Sequence, residues 1–134
     1  MAFLLHSIDG SAKIPGIEYL PAGAITPKVG MALVQSSGNL IAASGDATPT
    51  YISMVEKSAQ LTAGDIIPVI RITSDMIFET SFSASGTVNL GGFVQIKSDG
   101  LQVTASSASN HGAEVVWKAA AADSGVKCRV RFTR

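Results

Sequence analysis

The chain carries two similar stretches of sequence about sixty residues apart, and this repeat constrains its fold more than any other feature. GMALVQSSGNL at 30–40 and GGFVQIKSDGL at 91–101 share a glycine, an alternating apolar run, a turn containing glycine and a closing leucine. The match extends to VIRIT at 69–73 and RVRFT at 129–133. We therefore predict an internal duplication. The alternative is that two generic hairpins of a β protein match by chance.

The apolar segments predict strands throughout the chain. They are short, rich in Val, Ile, Thr and aromatic residues, and separated by Gly, Ser, Asp and Pro. We expect an all-β protein of two similar small barrel or sandwich units that form one compact body with a shared core. Residues 1–16 form an N-terminal arm, 17–75 the first unit and 76–134 the second.

Two features predict details of these units. Strand alternation in TYISMVE and AEVVWK makes Ile52, Met54, Val115 and Trp117 the best core candidates. Pro68 interrupts the strand that closes the first unit. Because proline cannot donate to a ladder, we expect that strand to lie at an edge or to carry a bulge.

Charge and length exclude several classes of protein. The 134 residues include ten basic and ten acidic side chains, so long-range attraction to phosphate is absent and nucleic acid is a poor partner. No apolar run is long enough to span a bilayer, and no basic region precedes the short run at 3–5, so we expect neither a membrane span nor a signal peptide. The charged share of 15% is low. A surface covered by a partner would explain it, and so would the abundance of small residues.

Candidate catalytic and metal-binding residues lack partners. His6 and His111 are the only histidines, and no GxSxG or calcium-loop motif occurs. Cys128 is predicted to be a buried, inert thiol, because alternation places it opposite its cationic neighbours. Glu18 and Glu79 correspond in the repeat; they are either a pair of catalytic carboxylates or exposed strand charges. We therefore expect no enzymatic activity, no metal and no cofactor.

The strand KCRVRF at 127–132 concentrates positive charge on one face, at Lys127, Arg129 and Arg131. It is either a basic stripe for an acidic partner or RNA, or a solvated strand face whose cations discourage edge-to-edge pairing.

The chain resembles the head decoration, or capsid cement, proteins of tailed bacteriophages. The resemblance is carried by PAGAITPKVGMAL, PTYISM, GDIIPVIRIT, SDMIFET, DGLQVTA and KCRVRF, and it covers residues 17–133. It implies a non-enzymatic protein of the virion surface, made in the host cytoplasm, whose partner is the major capsid protein. It also implies binding to the outside of the expanded head, often as a homotrimer at local three-fold positions, which stabilises the shell. The resemblance carries no catalytic residues.

The N-terminal arm is the predicted capsid contact, through Phe3, Leu4, Leu5 and Ile14. Loss of residues 1–16 would then leave a folded protein that does not bind capsids. The alternative is that this segment is the first strand of the protein's own sheet. The second functional class is a β-sandwich ligand-binding module of the carbohydrate-binding or tail-adhesin type, which an exposed Trp117 would favour.

Overall fold

The computed structural model describes residues 2–8, 16–45, 47–105 and 113–132, and in these residues it contains strands and turns but no helix. The described residues accordingly hold no helix that is long and apolar enough to cross a membrane. The predicted all-β fold class is confirmed. The strands, in chain order, are β1 (Leu4–Ile8), β2 (Ile17–Pro21), β3 (Ala32–Ser36), β4 (Asn39–Ala42), β5 (Tyr51–Ser53), β6 (Ile66–Arg71), β7 (Met76–Ser81), β8 (Phe93–Ile96), β9 (Val103–Ala105), β10 (Ala113–Lys118) and β11 (Lys127–Phe132).

The strands form two antiparallel sheets. The five-stranded sheet has the order β2-β6-β5-β3-β4, and the six-stranded sheet has the order β1-β7-β11-β10-β8-β9. If β1 is set aside, each sheet arranges its strands in the spatial order first, fifth, fourth, second, third. In the five-stranded sheet a single bridge joins Ala22, which follows β2, to Leu40 in β4. In the six-stranded sheet the corresponding bridge joins Phe82, which follows β7, to Val103 in β9. Neither sheet closes into a barrel, so the architecture is an open, sandwich-like pair of sheets.

The predicted hairpin turns are present, and one of them joins the two sheets. Ser37 and Gly38 connect β3 to β4 with φ values of 50° and 83°, the left-handed pair that a two-residue hairpin requires. Gly100, in the turn between β8 and β9, has φ 73°. Its carbonyl accepts a 2.8 Å hydrogen bond from the amide of Ala32, and a Cβ at position 100 would lie 2.8 Å from the Ala32 oxygen. Only glycine fits there.

The larger core brings both sheets together. It contains Ile52 and Ile70 from the five-stranded sheet and Phe78 and Val115 from the six-stranded one. Four phenylalanine rings lie within it, those of Phe3, Phe78, Phe82 and Phe132. The ring centroid of Phe132 is 5.3 Å from that of Phe3 and 5.5 Å from that of Phe78. The smaller core covers the other face of the five-stranded sheet and consists of Ala22, Met31, Leu33, Leu40, Tyr51, Ile67 and Val69. The five-stranded sheet is therefore packed on both faces.

The prediction for Pro68 was wrong. β6 lies between β2 and β5, and its pairing with either strand shows no bulge. Pro68 is tolerated because β5 ends at Ser53, opposite Val69. The Pro68 carbonyl accepts a 2.9 Å hydrogen bond from the amide of Met54, which lies beyond the end of β5. Because the nitrogen and carbonyl of one residue point to the same side of an antiparallel strand, the Pro68 nitrogen also faces the region beyond β5, where no ladder bond is lost.

Two of the four core candidates are correct and two are wrong. Ile52 and Val115 are buried, whereas Met54 is 40% and Trp117 is 38% exposed. Met54 lies beyond the end of β5. In β10 the register shifts between Val115 and Trp117, and a shift of this kind turns the following side chains to the other face of the sheet. The sequence pattern carried no sign of this bulge.

The N-terminal segment is part of the protein body where the structure describes it. Leu4–Ile8 forms β1, the edge strand of the six-stranded sheet, paired with β7. Phe3 is only 1% exposed, and its amide donates a 3.0 Å hydrogen bond to the carbonyl of Gly30. This is the alternative that the sequence left open for the segment, the first strand of the protein's own sheet. Residues 9–15, including Ile14, lie outside the described residues.

Candidate interaction surface

Most of the large apolar side chains that the described residues expose are linked to one another by a common cleft or by a common face of the five-stranded sheet. Seven of them are between 37% and 69% exposed. We call this set the apolar surface: Leu4, Leu5, Ile17, Tyr19, Val29, Met54 and Ile66. Contiguous exposed apolar area of this kind marks an interaction site in soluble proteins.

Strand register explains why the residues of β2 and β6 share one face. Ile17 pairs with Ile70, Tyr19 with Pro68, and Pro21 with Ile66, so these side chains leave the same face of the five-stranded sheet. Ile70 continues this face into the larger core. The apolar surface is therefore the exposed continuation of a core face.

An apolar cleft of about 200 Å³ lies at the centre of this surface. Its walls come from β1 and β7 of the six-stranded sheet, from β2, β5 and β6 of the five-stranded sheet and from residues next to these strands, so it lies where the two sheets meet. Among the residues that the structure describes, no charged or polar side chain lines it. The lining residues are Phe3, Leu4, Leu5, Ile17, Val29, Gly30, Ile52, Met54, Ile70 and Phe78.

The structure separates the predicted capsid-contact residues into two groups. Leu4 and Leu5 are exposed and line the cleft. Phe3 also borders the cleft, but its ring is buried in the larger core and packs on Phe132. The position of Ile14 falls outside the described residues.

Gly30 holds the N-terminal segment close to the chain before β3. Its φ is 83°, and a Cβ there would lie 2.7 Å from the Phe3 carbonyl oxygen. The missing side chain thus permits the close approach that brings β1 to the wall of the cleft.

The two glutamates that correspond in the repeat each form an ion pair with an arginine, in different sheets. Glu18 accepts two hydrogen bonds of 3.0 Å from Arg71, and Glu79 accepts one of 3.2 Å from Arg129. The bidentate hydrogen bonds from Arg71 lower the pKa of Glu18 and raise that of Arg71. Each carboxylate is therefore paired with an arginine of its own sheet, and the side chains of Glu18 and Glu79 are only 35% and 22% exposed.

The basic strand β11 is not an edge strand. It lies between β7 and β10, so its cations cannot serve to protect a free edge, and that interpretation was wrong. The predicted alternation is correct: Arg129 and Arg131 lie on the face opposite Cys128. Arg131 lies 3.7 Å from Glu114, and Arg129 stacks 4.3 Å from the centroid of the Trp117 ring. These pairs neutralise much of the stripe.

Cys128 is buried in the larger core, as predicted. Burial, with the nearby negative charge of Glu79, raises the pKa of its thiol to about 12. It is therefore protonated and unreactive near neutral pH. Across the described residues, no three His, Cys, Asp or Glu side chains are grouped so that they could hold a metal ion.

Comparison of the chain with protein-family models and with curated proteins finds no match to either.

Sequence reasoning missed most of the apolar surface, including Ile17, Tyr19, Val29 and Ile66. One signal was present in the strand IIPVIR, which is apolar at five of its six positions. Such a strand has two apolar faces, and it needs a cover on both. Ile67 and Val69 are covered by the smaller core, while the opposite face runs out to the exposed Ile66.

Proposed function

We propose that this protein is a non-enzymatic decoration protein that binds the major capsid protein on the outer surface of an expanded phage head and stabilises the shell. The apolar surface around the cleft is the single observation that carries a binding role. An area of this kind suits a protein partner better than a small polar ligand. The resemblance to head decoration proteins supplies the identity of the partner and the location on the virion.

A single core shared by both sheets, and a charged share of only 15%, support this proposal. The larger core joins the two sheets, and the N-terminal segment is fastened to it through Phe3. Rigid surfaces lose little conformational entropy on binding, so many weak contacts on a shell lattice can act together. Leu4 and Leu5 are the capsid contacts that we retain from the sequence prediction. Trimers at local three-fold positions are part of the same proposal.

We also infer that the two sheets descend from an internal duplication that spans 17–75 and 76–134. Two observations support this: the shared spatial order of the strands and the bridge that follows the first strand of each sheet. The ion pairs of Glu18 and Glu79 occupy matching strand pairs, β2–β6 and β7–β11. In this scheme β1 and the rest of the N-terminal arm are additions to the repeat.

Co-sedimentation tests the capsid role directly. The purified protein is mixed with expanded and with unexpanded shells of the phage or prophage that carries the gene. We expect it in the pellet with expanded shells only, and we expect decorated shells to resist higher temperature than bare ones. A protein that stays in the supernatant with expanded shells would refute the proposal.

A matched pair of surface variants locates the contact. Tyr19→Lys places a charge on the apolar surface and should weaken binding to expanded shells by about tenfold or more. Ile41→Lys places the same charge at an exposed apolar position elsewhere in the five-stranded sheet and should change binding by less than about twofold. Equal losses in the two variants would show that the apolar surface is not the contact.

A ligand-binding module remains the second candidate, because Trp117 is exposed. Its ring is stacked against Arg129, which is itself paired with Glu79, so a stacking ligand would have to displace the guanidinium group. Saccharides that quench Trp117 fluorescence with saturation would support this function. The Arg129→Ala variant should then bind them more tightly.

A further inference from the structure

The position of the cleft relative to β1 follows from two neighbouring side chains. Leu4 lies opposite Glu79 and Leu5 opposite Phe78, so their side chains leave opposite faces of β1. Both nevertheless line the cleft. A space that side chains from both faces can reach lies along the edge of a strand. The cleft therefore runs beside the edge of β1 that faces away from β7.

The main chain of β1 presents hydrogen-bonding groups toward this space. The amide of Phe3 donates to Gly30, which is not part of β7, so the Phe3 amide points away from β7. Main-chain groups two residues apart in a strand point to the same side. The amide and carbonyl of Leu5 therefore point away from β7 as well, before the register shift that precedes Ser7. Within the described residues they have no backbone partner on that side.

These two properties together define the chemistry of an occupant. The lining is entirely apolar, so a charged group placed in the cleft would lose its hydration without compensation. The adjoining edge needs a donor and an acceptor, which a helix cannot supply and a hydrocarbon lacks. An extended polypeptide supplies both the main-chain groups and the apolar side chains. An apolar cavity of about 150 Å³ admits benzene, so about 200 Å³ accommodates one or two aliphatic side chains.

We propose that the edge of β1 and the adjoining cleft bind an extended, uncharged segment of the capsid protein as an additional strand of the six-stranded sheet. The segment pairs with Leu5 through its main chain and inserts one or two aliphatic side chains between Leu5, Ile17 and Met54. This proposal rests on the proposed function for the identity of the partner, and on the geometry of β1 and the cleft for the mode of binding.

Two variants of the full chain separate the main-chain and side-chain contributions. Leu5→Pro removes the amide at the open edge and costs no bond to β7; it is compared with Leu5→Ala, which shortens the side chain and keeps the amide. Leu5→Asp places a charge in the cleft. Each should weaken binding to expanded shells by about tenfold or more, while Leu90→Asp, at an exposed position away from the cleft, should change it by less than about twofold. Thermal unfolding of each variant checks that it is folded.

Hydrogen exchange of the unaltered protein provides a measurement that does not depend on the variants. We expect the amides of residues 3–8 to exchange more slowly on expanded shells than in free protein. The decrease in exchange rate should be larger there than at any other strand edge. Unchanged exchange in these residues, in a protein that does bind shells, would overturn the strand-addition proposal and leave the capsid role intact.

A soluble probe tests the edge when shells do not bind. A capped seven-residue peptide that alternates valine and serine is uncharged and offers one apolar face and a free main chain. Saturable changes at the Leu5 amide and at the Ile17 and Met54 methyl groups in NMR spectra would support strand addition, even if the capsid role were refuted. Absence of any change would overturn it. Changes that depend on protein concentration alone would show that a second copy occupies the edge, and would also overturn it.

Discussion

Truncation of Phe3 tests whether the N-terminal segment is a structural part of the body or a detachable arm. The ring is almost fully buried and packs on Phe132, and the Phe3 amide bonds to Gly30. A buried phenylalanine removes on the order of 150 Å² from water, which is worth about 4 kcal/mol at about 25 cal/mol per Å². Direct measurements of Phe→Ala in cores give about 3–5 kcal/mol. We therefore expect Phe3→Ala to lower the free energy of unfolding by about 4 kcal/mol.

Leu5→Ala is the matched control, because it lies in the same segment but is 37% exposed. It should cost about 1 kcal/mol or less. Urea unfolding followed by circular dichroism measures both variants. A loss of about 4 kcal/mol is a large part of the stability of a small domain, so Phe3→Leu serves as a milder variant that should cost less than half as much.

Equal stability of Phe3→Ala and Leu5→Ala would refute the reasoning, since it would mean that the ring is not held in the core in solution. The same result bears on deletion of residues 1–16. With Phe3 in the core, that deletion removes a core ring and an edge strand, so the truncated protein is expected to be strongly destabilised. Capsid binding is therefore better tested with single substitutions in β1 than with truncation.

Two further predictions concern the interior. The thiol of Cys128 ionises near pH 9 in the unfolded chain but near pH 12 in the folded one, so stability is complete below pH 9 and falls as the pH rises from 9 toward 12. Between pH 8 and pH 10 the wild-type protein should lose about 1 kcal/mol more than Cys128→Ala in denaturant titrations. Gly100→Ala should cost about 2–3 kcal/mol, because it adds a clash with Ala32 to the strain of a positive φ. Gly38→Ala, with a similar φ and open space, should cost about 1 kcal/mol.

The controls for these two predictions are internal. Equal pH slopes for wild type and Cys128→Ala would show that the thiol reaches water in the folded protein. Equal costs for the two glycine variants would show that the turn between β8 and β9 does not press on β3.

The sequence by itself determined the strand content and the turns. Alternation of side chains is a local property, so KCRVRF correctly placed Cys128 inside and its cations outside. Turn chemistry is local too: the glycines of the two repeated turns, Gly38 and Gly100, take positive φ values. The repeat also indicated two β units.

The tertiary structure decided which faces are covered and which strands lie at edges. β11 is an interior strand because it pairs with β7 and β10, and β6 is one because it pairs with β2 and β5. The sequence of a single strand does not show which distant segments pair with it. A one-residue register shift in β10 exposed Trp117. The cleft exists only because β1 and the five-stranded sheet meet along one line, and the apolar residues that form it look in the sequence like any other core positions.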